Sequence, residues 1–522
     1  MTGESLDMIP LTFLNWLLAL TPVIVILILM LWRRWGGSKA GAVAFLITAA
    51  IAWLRFGATF ELLAYAQAKA VLLALDVLWI IWNALFLFHL TREAGAIDKI
   101  GKALSSLTTD RTMQGLILGW IFPSFLQGLG GFGVPVAVSA PLLVGVGFTP
   151  IQAVIMASIG HGWAVTFGSL ASSFQTLIAV TGLPGELLAP FSLLLLGIAC
   201  FVCGFIVAYL AGGKQGLKQT FLPVLILAAA MSLTQYLVAN YIIWTLGVTV
   251  AGIVGLLLSF LITRSQKFRN NDSKTESASS LLQSFSSYII LVLMAFTINL
   301  VGPIKTFLSQ VQFTLSFPEV QTAYGWVIQA GTGRVIKIFS HPGTILLYSS
   351  LIAYVLYRKL GFYKPESLKL IGGRVLKAAI KSSTGILLMV SLSIIMADSG
   401  MTYLLAQGIS QSVSALFYPL IAPFIAVLGA FITGSNNNAN VLFAVLQMKT
   451  AQMLNLNIPL ILAAQTAGGA LGSVLAPAKV IVGCSTVGLG GQEGKVMQRM
   501  LLLGLIPVAV VAVLAMLIQF FI

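Results

Sequence analysis

Charge is what this sequence has least of. Of its 522 residues, 43 are Asp, Glu, Lys or Arg, or 8%, against roughly 25% in an ordinary globular protein. With 58% hydrophobic residues and a mean hydropathy of +1.00, a water-facing surface cannot be built. Soluble domains are excluded, and lipid is the solvent. Cysteine and histidine are equally scarce, three of each. Cys200 and Cys203 form one C-x-x-C inside an apolar run, and Cys484 stands alone. With no second pair and no βαβ context, they read as small buried apolar residues. Scattered histidines and the lack of paired carboxylates argue against a membrane-embedded enzyme, which needs a nucleophile with its base or a metal cluster. No phosphate-binding loop is present, so ATP-driven pumping by this chain alone is excluded, and no cofactor is expected. A proton-translocating respiratory subunit needs charges along mid-membrane helices, and those are missing too.

The few charges are lopsided, 29 basic against 14 acidic, for a net +15. Basic residues gathering in cytoplasmic loops account for this excess, and no nucleic-acid partner is expected. Apolar runs long enough to cross a bilayer lie at 10–32, 40–54, 70–90, 113–147, 187–211, 221–239, 241–263, 286–302, 343–357, 383–407, 413–452 and 500–521. Two further stretches, 151–185 and 455–490, are interrupted by Gly, Pro and polar residues. The N-terminus carries Glu4 and Asp7 and lacks the basic region of a cleaved signal peptide, so the first span is expected to remain. Placing this end outside puts 33–39, 91–111, 212–220, 264–285, 358–381 and 491–499 in the cytoplasm, where they hold 22 of the 29 Lys and Arg residues. That orientation requires 151–185 and 455–490 to return to their starting side as re-entrant hairpins. The polar segment 264–285 reads as a cytoplasmic linker between a transmembrane half at 1–263 and another at 286–522.

The chain is most informative where charge is absent. No Asp, Glu, Lys or Arg occurs between Arg111 and Glu186, nor between Asp398 and Lys449. The first stretch contains Gln127, Gly128, Gly130, Gly131, Phe132, Gly133 and Pro135; the second contains Thr433, Gly434, Ser435, Asn436, Asn437, Asn438 and Asn440. Glycine and proline weaken a helix by about 1 and 3 kcal/mol, and unwound backbone exposes groups that lipid cannot satisfy. Such runs persist where the freed groups bind something polar, and half-helix N-termini suit an anion. On the orientation above the two runs cross in opposite senses, each followed by an interrupted hairpin and a clean span. The expected fold is an all-α polytopic membrane protein of two inverted-topology repeats, with broken helices, re-entrant hairpins and about twelve spans. This pattern points to a secondary transporter with its site between the two motifs. A sodium-coupled carrier of dicarboxylates or citrate fits the same pattern.

These motifs resemble those of the lactate permease family. Phe125 to Phe148 is similar to its signature F-L-E-G-x-x-G-F-G-x-P-V-A followed by L-L-V-G-x-G-F, and Gly429 to Phe443 to its second, T-G-S then A-N-V-L-F. Ala463-Ala-Gln-Thr-Ala-Gly-Gly469, Ala476-Pro477 and Val487-Gly488-Leu489 also fit. The resemblance implies transport of lactate, glycolate and related small monocarboxylates, generally with protons, across the bacterial or archaeal cytoplasmic membrane, and it leaves room for a homodimer. Substrate-binding roles are expected for Gln127, Gly128, Gly130, Gly131, Phe132, Gly133, Thr433, Gly434, Ser435, Asn436, Asn437, Asn440, Gln465 and Lys479. The family's usual Glu and Asp stand here as Gln127 and Asn436, and its usual Asn as His161. Amides do not titrate, so proton coupling through the family's two carboxylates is not expected here, while amide oxygens can still hold a sodium ion. Lys479 is either a counter-charge for a carboxylate or a lysine reaching the interface. Asp398 is either a proton carrier or the ion-pair partner of Lys479, and His161 either a proton relay or a structural residue. Asp76 reads as a solvated helix end, and His89 and His341 are assigned no role.

Overall fold

The computed structural model describes residues 9–33, 35–131, 133–264, 278–489 and 492–522. Most of the expected linker 264–285 therefore lies outside the described residues. The first part of the chain forms α1 (Phe13–Leu31), α2 (Gly37–Arg55), α3 (Phe60–Glu93) and α4 (Ala96–Ser105). Then come α5 (Arg111–Leu116), a π turn over Ile117–Ile121, α6 (Phe122–Leu129), α7 (Val134–Gly145), α8 (Pro150–Gly160), α9 (Gly168–Thr181), α10 (Gly185–Tyr241) and α11 (Gly247–Thr263). The second part has α12 (Ala278–Leu300) and α13 (Gly302–Leu308), six two-residue strands β1–β6 between Gln312 and Lys337, and α14 (Pro342–Lys359). It continues as α15 (Ser367–Asp398), α16 (Met401–Ser412), α17 (Tyr418–Thr433), α18 (Asn436–Met453), α19 (Ile458–Val474), α20 (Pro477–Thr486) and α21 (Glu493–Phe521). The starts are chemically marked: Thr59, Asp110 and Asn457 cap α3, α5 and α19, and Thr149 forms a reciprocal capping box with Gln152.

Among the described residues, nine helices are long and apolar enough to cross a membrane, or ten if the bent pair Pro150–Ala164 and Gly168–Thr181 is one span. The difference from twelve has identifiable sources. The spans read at 187–211 and 221–239 are one 57-residue element, broken where Gly213 adopts φ 61° and ψ −155°. At about 1.5 Å per residue such a helix is far longer than a bilayer is thick. Gly213 folds it back on itself, and Ser232 Oγ donates to the Gly197 carbonyl at 3.1 Å. The run 113–147, read from its length as a span, instead returns to where it began. The Arg111 guanidinium donates to the Gly147 carbonyl (3.3 Å) and lies over the Phe148 ring (5.0 Å). So α5–α6 and α7 form a hairpin with its tip at 130–133. The interrupted stretch 151–185, expected as a re-entrant hairpin, forms the pair α8 and α9, bent by 51°, which runs alongside α5–α6 so that Gly119 faces Met156 and Trp163 Nε1 donates to Ser124 Oγ at 3.0 Å. Likewise α17 and α18 fold against each other. Tyr418 Oη donates to Gln447 Oε1 at 2.6 Å near their open end, and Gly429 abuts Phe443 near the tip. Length and hydropathy cannot separate a span from two half-length helices.

The strands, unforeseen in an all-α reading, form three successive antiparallel ladders: β1–β6, β2–β5 and β3–β4. Together they make a strap over one end of α3. Ala323 N donates to the carbonyl of Gly57 at 2.7 Å, and Arg334 Nε meets Asp76 Oδ2 at 2.9 Å. His341 Nε2 bonds the other Asp76 oxygen at 3.0 Å. Asp76 is thus no solvated helix end but a buried carboxylate, 1% exposed, supplied with partners from 258 and 265 residues away. Breaking a buried ion pair from one side costs about 3–5 kcal/mol. Asp76→Ala should lower stability by an amount of this size, read as a large drop in thermal unfolding temperature in detergent. The hairpin at 111–147 predicts that Lys102→Cys and Gly145→Cys are labelled from the same face of the membrane by an impermeant thiol reagent, and Glu186→Cys from the other. Buried Cys200, Cys203 and Cys484 keep the background low. Labelling of Gly145→Cys and Glu186→Cys from one face would overturn the hairpin.

Candidate functional site

Two breaks and two hairpin tips converge inside the bundle. In the first bent segment, Ser169, Leu170 and Ala171 take left-handed φ values of 47°, 54° and 57°. Each costs about 1–2 kcal/mol for a residue with a side chain, so the bend is imposed by its surroundings. It places Ser169 Oγ and the Gln127 amide on either side of Gly131, where an added methyl would come within 2.6 and 3.0 Å of them. Gly168 closes the other side, 2.9 Å from Gln127 Nε2 by the same measure. Glycine is required at both positions to leave room for the amide.

The second tip is built on Gly434 (φ 70°), which ends α17, and on Ser435, which caps α18 by accepting from Asn438 N at 3.4 Å. Ser435 N donates to Thr433 Oγ1 (3.3 Å), and Thr433 Oγ1 in turn to the Gly429 carbonyl (2.8 Å). The first turn of α18 then aims asparagines at the bend between α8 and α9, at α9 and at α19. Asn436 Nδ2 donates to Thr166 Oγ1 (3.1 Å) and to the Thr466 carbonyl (3.2 Å). Asn440 Nδ2 donates to the Ser173 carbonyl (3.0 Å) and to Thr466 Oγ1 (3.0 Å). Ser173 Oγ donates to Asn437 Oδ1 at 2.5 Å. Because carbonyl oxygens only accept, the Asn436 and Asn440 amide orientations are fixed. That leaves Asn436 Oδ1 and Asn440 Oδ1 buried without partners, as are Gln127 Oε1, Asn437 Nδ2, Asn438 Oδ1 and His161 Nε2. Buried polar groups are normally satisfied. Six orphans in one uncharged cluster mark a place for a polar ligand or water.

Most residues singled out in the sequence meet here, and some do not. Gln127, Gly131, Thr433, Gly434, Ser435, Asn436, Asn437 and Asn440 line the cluster or its tips. Gly133 (φ 88°) makes the first tip's turn and faces Val482 of α20, whereas Gly128 packs on Thr249 and Gly130 on Phe88. Phe132 lies outside the described residues. Gln465 has both amide ends engaged, donating to the Ala439 carbonyl (3.1 Å) and accepting from Gln447 Nε2 (3.2 Å), which fixes α18 against α19. Lys479 stands in the first turn of α20, 8% exposed, with Nζ donating to Ser473 Oγ at 3.1 Å. It makes no salt bridge among the described residues. Asp398 does not pair with it: its partner is Lys69 Nζ at 3.0 Å, on α3 beside the strap. The fold brings α15 to α3, a pairing no sequence spacing signals. Thr166, Ser169 and Ser173 were not singled out, their only signal being hydroxyl residues inside a charge-free, interrupted stretch, and Thr466 appeared only within the run Ala463 to Gly469.

Unpartnered buried amides thus gather near the two hairpin tips, and one buried ammonium, Lys479, stands on α20 with a hydroxyl partner. The chain belongs to the L-lactate permease family, whose family model matches residues 15–522. It is 30% identical over 464 residues to an L-lactate permease of Streptococcus iniae, covering 86% of this chain and 93% of that protein. It is 27% identical over 545 residues to a glycolate permease of Escherichia coli K12, covering 97% and 95%. An L-lactate permease of the same strain is 29% identical over 444 residues, with 80% of each chain covered. The solved YdaH transporter of Alcanivorax borkumensis aligns over 97% of this chain and 98% of its own, at 12% identity and a TM-score of 0.45. The chain is therefore a multi-pass permease of the bacterial cell membrane.

Asn436 Oδ1 lies against Gly469, where an added methyl would overlap it. Gly469→Ala should displace the amide and reduce substrate uptake as strongly as Asn436→Ala does. Normal uptake by Gly469→Ala in proteoliposomes would remove Asn436 from the site.

Proposed function

We propose that this protein is a secondary carrier of a small 2-hydroxy monocarboxylate, lactate or glycolate, driven by a co-transported cation. Relatives across nearly the whole chain carry the names L-lactate permease and glycolate permease. The observation that carries the reading is Lys479: a buried ammonium with one hydroxyl partner and no carboxylate, beside a cluster of unsatisfied amides. Lysine at membrane depth is costly unless compensated, and an anionic substrate compensates it. One such cation matches one carboxylate, which favours a monocarboxylate over a dicarboxylate or citrate.

Alternating access follows from the arrangement of the hairpins. The hairpin α5–α7 opens toward the level of Arg111, Gly147 and Gly115–Ala211. The hairpin α17–α18 opens toward the level where Asn457 N meets Gln519 Oε1, at the far end of α21. Each is followed by an interrupted helix pair and a long helix, α8–α9 then α10, and α19–α20 then α21. We read these as two inverted repeats whose tips meet at mid-depth, with the N-terminus outside and the halves 1–263 and 286–522 joined by the linker. Opposed hairpins give each face of the membrane its own gate to one site. Coupling must use a group other than the family's two carboxylates, and His161 and Asp398 stay candidates for it.

In proteoliposomes, labelled lactate should accumulate under an imposed proton or sodium gradient, and glycolate should compete while a dicarboxylate does not. Lys479→Gln, Asn436→Ala and Gln127→Ala should each reduce uptake by at least about tenfold, the scale of one lost charge-assisted hydrogen bond. Uptake indifferent to all three substitutions would place the site elsewhere.

A further inference from the structure

Resting on that reading, we propose that His161 Nε2 accepts a hydrogen bond from the substrate's 2-hydroxyl while Lys479 holds the neighbouring carboxylate. His161 follows the last residue of α8, in Gly160-His161-Gly162. Its Nδ1 is 2.6 Å from the Ala157 carbonyl. A carbonyl only accepts, so Nδ1 carries the hydrogen, and a neutral ring then presents a lone pair at Nε2. That nitrogen is buried and has no partner, in a residue only 1% exposed. A buried acceptor without a donor is unfavourable unless something arrives to donate.

The surroundings hold the ring in place. A methyl on Gly160 would overlap the Gly119 carbonyl, and one on Gly162 would come within 3.2 Å of Leu471. The backbone on either side of His161 is thereby held close to the π turn and to α19. Lys479 reaches the same stretch of α19: its ammonium bonds Ser473 Oγ at 3.1 Å, next to Val474, which a methyl on Gly162 would approach to 3.4 Å, and it leaves Nε2 without a partner. An anion-binding donor beside a neutral acceptor matches a ligand that carries a hydrogen-bond donor next to its carboxylate. A 2-hydroxy acid is that ligand. A 2-oxo acid offers Nε2 only another acceptor, and an unsubstituted acid offers it nothing. The family resemblance places Asn at this position, so the device belongs to this chain's own sequence.

The test is competition against labelled lactate uptake in proteoliposomes of the full chain, comparing lactate, pyruvate and propionate. In the unaltered protein, lactate should compete about tenfold better than propionate or pyruvate, the scale of one buried hydrogen bond. His161→Leu should erase that preference by weakening lactate alone, and His161→Gln, which keeps an acceptor, should restore part of it. Equal competition by lactate and propionate in the unaltered protein would overturn the inference, and this holds even if His161→Leu does not fold. Equal weakening of all three acids by His161→Leu would also overturn it, leaving His161 structural. Failure of the unaltered protein to take up any monocarboxylate would instead refute the transport reading beneath it.

Discussion

The hydrogen bonds that Asn436 donates to Thr166 Oγ1 and to the Thr466 carbonyl tie together a hairpin tip and two interrupted segments that are 270 and 30 residues away in sequence. Everything at mid-depth depends on bonds of this kind. Lipid offers no partner for unwound backbone, so a helix can break within the membrane only where other protein groups receive its freed donors and acceptors. Here the receiving groups are amides and hydroxyls. They bond the Thr466 and Ser173 carbonyls and leave a surplus of orphaned side-chain atoms. In the proposed carrier that surplus is what a substrate would meet.

Uncharged groups also solve an energetic difficulty. A carboxylate at this depth must be paired or protonated, and either condition ties the site to one ionic state. Amides at Gln127 and Asn436 carry no such requirement. The remaining charge, Lys479, is held by a neutral hydroxyl, so it stays available to an anion without first giving up an ion pair.

Much of this was legible in the sequence, for physical reasons. Membrane character followed from the shortage of charge. Gly128 to Pro135 and Gly434 to Asn440 announced broken helices because glycine, proline and asparagine interrupt helices wherever they cluster. What could not be read was which interrupted stretch doubles back. The run 113–147 has the length of a generous span, and only the contact of Arg111 with Gly147 and Phe148 reveals a hairpin. Long-range pairing was equally hidden. Asp76 looked solvated until Arg334 and His341 arrived from beyond the linker, and Asp398 found Lys69 and not Lys479. Thr166 escaped notice because a lone threonine on an apolar helix usually bonds its own backbone.

The ion pairs have a distribution of their own. Every salt bridge among the described residues has one end on α3: Lys69 with Asp398, Asp76 with Arg334 and His341, and Glu93 with Arg374. None reaches the two hairpins or the bent segments between them. The helix α3 is therefore a keel, riveted by charge to the strap and to α14 and α15. The binding elements lean against one another through neutral contacts worth about 1 kcal/mol apiece. A seam without ion pairs can slip and re-form without pulling opposite charges apart in lipid, whereas the riveted side cannot. Stiffness and compliance are thus assigned to different parts of one bundle by where its few charges were placed.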